Sequence, residues 1–204
     1  MNSILRSPED RIRFFASSGL VYLTRTEVRS RKVLKYNWGN SPYYKNNKEE
    51  FLRLTKRYGS RIRGAEMAPL YMKHISDQIG WGVFALSPLS EGDFVGEYTG
   101  YITKALEAPP EKTEGGHYLS DFSWNYPDEL PDGEEFEVSA MKGGNEMRFV
   151  NHSFDPNCVV DHTLVDGLFI TFFRVIRPVA RDEQLLVDYG EEYWSGGFRR
   201  LEVL

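Results

Sequence analysis

The sequence predicts a mostly β fold with short helices, in which several small sheets surround one core and a helical N-terminal segment comes first. Three observations predict it. From about Pro69 onward, short runs rich in β-branched and aromatic residues are broken by Gly, Pro and Asp, too closely spaced for the helical crossovers of a parallel sheet. Before that point, apolar residues recur at helical spacing behind capping residues. A chain of 204 residues with 41% hydrophobic and 14% aromatic content is also long and apolar enough to bury a core.

The elements follow in order. Ser7-Pro8-Glu9-Asp10 places a hydroxyl cap, a proline at the first helical position and acids in the first turn, so a helix begins there, carries Ile12, Phe14 and Phe15, and stops at Gly19. Thr24-Arg25-Thr26-Glu27 repeats the capping-box pattern ahead of Val28 and Leu34, predicting a second helix. Asn47-Lys48-Glu49-Glu50 precedes Phe51, Leu54 and Tyr58 and predicts a third, with Gly59 as its stop. Strands are expected over 70–75, 81–85, 94–101, 118–122, 136–138, 168–175 and 185–188, with turn chemistry at Ser90-Glu91-Gly92-Asp93 and Asp132-Gly133. This divides the chain into a basic helical segment, 1–68, a β-rich domain, 69–195, with an acidic insert at 106–137, and a short C-terminal lid or tail, 196–204.

Composition excludes several classes. One cysteine, Cys158, cannot form an internal disulfide or a multi-cysteine zinc site, and it suits a reducing compartment. The four histidines show no ligand spacing, so no metal is expected. No run of about 18 apolar residues is present and the N-terminus lacks the apolar core of a Sec signal peptide, which argues against a membrane span. The net charge of −5 is unevenly spread: residues 1–75 hold 16 Lys/Arg and 6 Asp/Glu, or +10, and residues 76–204 hold 9 and 24, or −15. Either the two parts have different partners or the basic part packs against the acidic one.

Four clusters in the β-rich part carry the candidate chemistry. Gly80-Trp81-Gly82 flanks an aromatic with glycines ahead of an apolar strand, where a ligand could approach the backbone, although such a pair is more often a turn. Gly96-Glu97-Tyr98-Thr99-Gly100 ends a strand with a tyrosine hydroxyl at the sheet edge. Residues 148–158, Arg148 to Cys158, are dense in hydrogen-bonding side chains, among which Asn151 and His152 could read an adenine edge. Asp188-Tyr189-Gly190 ends a strand with a tyrosine beside glycine, followed by Tyr193 and Trp194.

In this order the four clusters resemble the motifs of SET-domain protein-lysine methyltransferases, over roughly residues 70–195. Arg148 to Asn157 together with Asp188-Tyr189-Gly190 is the most specific part. Trp81-Gly82, the Gly96–Gly100 motif and the Tyr193-Trp194 ending are most similar to small bacterial SET proteins of the chlamydial type. The resemblance implies a SET-domain fold with a C-terminal strand threaded as a pseudoknot, and methyl transfer from S-adenosyl-L-methionine to a lysine side chain. It implies that Trp81, Gly82, Tyr118, Arg148, Asn151, His152 and Trp194 hold the cofactor, that Tyr189 and Tyr98 are the catalytic tyrosines, and that Tyr98 and Val187 line the lysine channel.

The pattern departs from the family in two places. Phe154 stands where many SET enzymes carry a zinc-binding cysteine, and the three later cysteines are missing, so an aromatic lid or a partner must close the channel. Val187 occupies the position, two before the catalytic tyrosine, often filled by phenylalanine or tyrosine, which favours higher methylation states. The acidic insert holds ten acids and one base, Lys112; the resemblance implies that it borders the peptide groove, where Glu134 and Glu135 would attract a basic protein such as a histone or bacterial histone-like protein, the alternative being a solvated acidic loop. The resemblance further implies an intracellular protein exported into a host cell nucleus, and the basic character of residues 1–68 suggests chromatin contact through that segment. The alternatives are a SET-fold module that binds lysine-rich tails with little turnover, a nucleic-acid tether in the basic segment, and a homodimer through it.

Overall fold

The computed structural model describes residues 4–105, 122–191 and 193. Five small sheets share one main core. The first joins β1 (Ile4–Leu5), β4 (Leu70–Ser76) and β5 (Gly80–Ala85), all antiparallel. The second pairs β2 (Val21–Tyr22) in parallel with β10 (Gly143–Gly144). In the third, β3 (Glu27–Val28), β7 (Tyr101–Lys104), β9 (Phe136–Ser139) and β8 (Ser123–Asn125) lie side by side. The fourth has β12 (Cys158–Val165), β13 (Leu168–Val175) and β6 (Phe94–Glu97), joined by antiparallel pairing. The fifth is a two-residue parallel crossing of β11 (Asn151–His152) and β14 (Leu186–Val187). The expected mostly β architecture is what forms.

Helices α1 (Pro8–Ser17), α2 (Arg31–Lys35), α3 (Pro42–Asn46) and α4 (Lys48–Arg63) all lie before β4. Helix α1 starts as its residues dictate: the Ser7 hydroxyl accepts from the Asp10 N–H at 3.1 Å, and Pro8 takes the first position, where its missing N–H costs nothing. Helix α4 buries Leu54, Tyr58 and Ile62 against Phe94, Val165 and Phe172 in a second, smaller core. The Tyr58 hydroxyl donates to the Gly92 carbonyl at 2.8 Å, and the Thr55 and Thr163 hydroxyls meet at 2.8 Å.

Several expectations are corrected. Thr24 to Glu27 does not open a helix. The Thr26 N–H instead donates to the Glu97 carboxylate at 2.8 Å, and Glu27–Val28 pairs with Tyr101–Ile102, so tertiary partners outbid a local cap. Gly59 does not stop α4, which continues to Arg63 because Gly59 lies buried within it and the next turn supplies Ile62 to the second core. The single strand expected over 94–101 divides into β6 and β7. At Gly100, between them, a Cβ would lie 2.6 Å from the Ser139 carbonyl oxygen, so only glycine lets the chain pass from one sheet to the next. Strand β12 was not anticipated, since its polar residues Asp161, His162 and Thr163 hide the alternation. The expected strand at 118–122 falls almost wholly outside the described residues.

The N-terminal residues also supply strands to three of the sheets, through β1, β2 and β3. Phe15, Val33 and Trp38 are wholly buried. Basic side chains meet acidic partners further along the chain: Arg63 with Asp166 at 2.9 Å, Lys32 with Asp132 at 3.1 Å and with Glu134, and Arg11 with Glu146. The charge asymmetry is thus partly resolved by packing of the basic part on the acidic part. Among the described residues, no helix is long and apolar enough to cross a membrane.

Candidate functional site

The site is built where β11 crosses β14. Asn151 pairs with Leu186 and His152 with Val187, and the next residue's N–H, on Ser153, donates to the Val187 carbonyl at 3.0 Å. Asn157 clamps the crossing from the far side. Its Oδ1 accepts from the Leu186 N–H at 2.9 Å, its Nδ2 donates to the Gln184 carbonyl at 2.8 Å, and it is completely buried. A buried amide bonded on both ends to one short strand fixes that strand's register. Sequence reading placed Asn157 in the motif but gave it no role.

Immediately after the crossing stands Tyr189. Its N–H donates to His152 Nδ1 at 3.1 Å, and its hydroxyl donates to the Val150 carbonyl at 2.7 Å. Both ends of the residue are therefore held by residues 150–152. Because Nδ1 accepts, the His152 imidazole is neutral with its proton on Nε2. Burial lowers its pKa, opposed by the Asp188 carboxylate 3.6 Å away. Gly190, at φ +83°, lets the chain turn directly after the tyrosine.

Aromatic rings surround Tyr189. Trp124 meets it edge to face at 6.1 Å and Tyr193 at 4.8 Å, and the His152 ring lies tilted against it at 5.4 Å. Trp124 in turn contacts Tyr98 and Phe173, each at 6.2 Å, and these two stack at 5.9 Å. Tyr98 is 3% exposed and its hydroxyl donates to the Phe122 carbonyl at 2.6 Å. Burial drives its pKa far upward. The hydroxyl expected at an open sheet edge is therefore enclosed, because Trp124 and Phe173 cover it, and Tyr98 serves as part of an aromatic wall. Trp124 and Phe173 were missed by sequence reading; the one lay in an insert read for its charge, the other in a strand given no part in the site.

The residues expected to hold a cofactor gather beside this wall. The Asn151 Nδ2 donates to the Trp81 carbonyl at 3.2 Å, linking the first and third clusters. Arg148 Nε donates to the Ala140 carbonyl at 3.1 Å, and its guanidinium lies over Phe122 at 4.1 Å and Phe149 at 4.7 Å. Desolvation lowers its pKa to about 10. Gly82 is hemmed in by neighbouring side chains. A Cβ there would come within 2.7 Å of the Ile75 Cδ1 and 2.9 Å of the Gln184 Nε2, so its missing side chain makes room for the protein's own atoms. Tyr118 and Trp194 lie outside the described residues.

Of the remaining expectations, Val187 is completely buried in β14. Glu135 is exposed, whereas Glu134 is ion-paired to Lys32, so the insert does not present both as a free row. Phe154 is 66% exposed, with its ring edge-on to His152 at 4.4 Å. Cys158 is buried, and burial pushes its thiol up to about 12, the behaviour of a small apolar residue. Among the described residues no three His, Cys, Asp or Glu side chains gather as a metal site.

Comparison of the sequence with known proteins gives the family. Residues 80–190, more than half of the chain, match the family model described as SET domain. The histone-lysine N-methyltransferase Su(var)3-9 of Drosophila melanogaster is 32% identical over 137 residues, which cover 63% of this chain and 21% of that protein. The protein of the same name from Drosophila pseudoobscura pseudoobscura is 34% identical over 137 residues, with the same shares. The chain spans about a fifth of the length of these relatives. With the family model lying across Trp81, Tyr98, Asn151, His152 and Tyr189, this chain belongs to the SET-domain family.

Proposed function

We propose that the protein is a protein-lysine N-methyltransferase that uses S-adenosyl-L-methionine and acts on a basic protein such as a histone or histone-like protein. The observation that carries this reading is Tyr189, held by the Val150 carbonyl and the His152 ring at the mouth of an aromatic wall. The names of the relatives support the reaction and the substrate class. The sequence similarity of Trp81-Gly82, the Gly96–Gly100 motif and Tyr193-Trp194 keeps the small bacterial type as our reading of the subfamily.

The residues present suit the cofactor. A partly exposed indole at Trp81, the polar groups of Asn151 and His152, and the Arg148 guanidinium on aromatic rings form a donor and stacking set matched to an adenine ring and an amino-acid moiety. Bound there, the cofactor supplies a methyl group carried on a sulfonium. The chain's own task is geometry and desolvation. Trp124, partly exposed and backed by the buried rings of Tyr98 and Phe173, would offer the lysine stem an aromatic face in place of water, and Tyr189 would orient its nitrogen. The lysine must arrive neutral, against a reference pKa of about 10.4. Apolar surroundings disfavour the ammonium and lower that value, so the proton leaves to solvent before attack.

The test is Tyr189→Phe, assayed with labelled S-adenosyl-L-methionine, core histones and a bacterial histone-like protein. Turnover should fall about 10²–10³-fold, the usual cost of one hydrogen-bonding group at a reacting centre, while the melting temperature stays within a few degrees. Wild-type turnover in the variant would reject the assignment. A wild-type protein that binds these substrates without transferring methyl groups would favour the lysine-binding module instead.

A further inference from the structure

Glu146 is completely buried, on the first position of the 3-10 turn Glu146–Phe149 that leads directly into Val150, Asn151 and His152. A carboxylate without solvent is tolerable only where it is paired and hydrogen-bonded. Its partners all come from the N-terminal residues. Arg11 of α1 pairs with it through Nε, and the Tyr22 hydroxyl of β2 donates to its two oxygens at 3.1 and 3.0 Å. Arg11 is itself held by the Arg6 carbonyl at 2.9 Å and the Leu70 carbonyl at 3.1 Å, which ties the cluster to β1 and β4. Burial and the Glu146 charge both raise the Tyr22 phenol, keeping it a donor.

The same N-terminal helix grips the site on two further sides. Phe14 packs on Trp81 at 4.6 Å and on Phe149 at 5.8 Å, and Phe15 meets Phe149 edge-on at 5.7 Å. Trp81 and the 146–149 turn are the two pieces that Asn151 joins through its bond to the Trp81 carbonyl. We propose that the Arg11–Glu146–Tyr22 cluster is a positioning device for the cofactor site, holding the turn that carries Arg148 to His152 against Trp81. The helix is then part of the catalytic unit. Arg11, Glu146 and Tyr22 act through Asn151, His152 and Tyr189 and touch no reacting atom. The inference rests on the methyltransferase reading only for what the positioned residues bind.

Hydrogen exchange separates positioning from general stability. In Tyr22→Phe, which removes only the phenol proton shared between the two Glu146 oxygens, amides in 147–153 and 186–189 should exchange at least several-fold faster, with those of α4 unchanged. Arg11→Met, which leaves a buried carboxylate unpaired, should enlarge the same pattern. Affinity for S-adenosylhomocysteine, measured by calorimetry, should fall about tenfold in Tyr22→Phe. Unchanged exchange, or acceleration spread equally over α4, would overturn the proposal; if Arg11→Met does not fold, Tyr22→Phe alone decides. Failure of the wild-type protein to bind S-adenosylhomocysteine would sink the methyltransferase reading, and the exchange pattern would still decide the positioning role.

Discussion

At the scale of single residues, Trp124 changes what the proposed lysine channel would be made of. Val187, a small side chain at a position often aromatic in the family, led to the expectation of room for several methyl groups. The wall that faces Tyr189 is nevertheless closed, because Trp124 reaches Tyr189, Tyr98 and Phe173 together from β8. An indole buries on the order of 150–250 Å² and holds one orientation when rings pack on it from several sides. Trp124→Ala should therefore widen the channel. Steady-state kinetics should give at least a tenfold higher KM for the protein substrate with KM for S-adenosyl-L-methionine nearly unchanged, and mass spectrometry should find a larger share of higher methylation states. A rise in the cofactor KM alone would place Trp124 elsewhere than in the channel.

At the scale of elements, what could be read in advance was what depends on neighbours along the chain. The Ser7 cap and Pro8 start α1 locally, and the β-favouring run 168–175 forms β13 residue for residue. What could not be read depends on partners remote in sequence. Glu27 sits in a strand because Tyr101 lies beside it, and Trp124 acquires a role because β8 pairs with β9. Asn151, His152 and Tyr189 were legible as a group, but the bonds that hold them, from the Tyr189 N–H to a neutral His152 and from Asn151 to the Trp81 carbonyl, are visible only in three dimensions. A second histidine makes packing between elements measurable. His162 of β12 contacts the α3–α4 corner through the Tyr43 hydroxyl at 2.5 Å, and burial lowers its pKa despite Asp161 and Glu50 nearby. A histidine whose folded pKa lies below its unfolded value of about 6.5 binds fewer protons when folded, so it lowers stability as pH falls below that value. Buried Glu97 and Glu137, whose carboxyls are raised by desolvation, act in the opposite sense. The histidine's share is isolated by difference: between pH 7 and 5 the melting temperature of the wild type should fall more than that of His162→Gln. Parallel curves would mean that His162 does not titrate differently in the two states.

At the scale of the whole molecule, the question is whether residues 1–68 are an appendage or part of the folding unit. They place β1, β2 and β3 in three different sheets and contribute Phe15, Val33, Trp38 and Phe51 to the main core. Burying a side chain of this kind is worth roughly 1.5–3 kcal/mol, so these four alone represent roughly 6–12 kcal/mol, even before the second core beneath α4. The whole net stability of a typical domain is about 5–15 kcal/mol. Losing contacts of that size leaves nothing in reserve, and it also strands the Glu97 and Glu146 carboxylates, whose partners Thr26, Arg11 and Tyr22 all lie in the removed part. A fragment of residues 69–204 should therefore show no cooperative thermal transition, should bind a hydrophobic dye such as ANS, and should have no measurable affinity for S-adenosylhomocysteine. Adding residues 1–68 as a separate chain should restore a transition if the two pieces recognise each other through the strand pairings and ion pairs that join them. A fragment that melts cooperatively on its own, near the temperature of the full chain, would show the N-terminal residues to be an appendage, and would return them to the role of a basic tether for chromatin or nucleic acid.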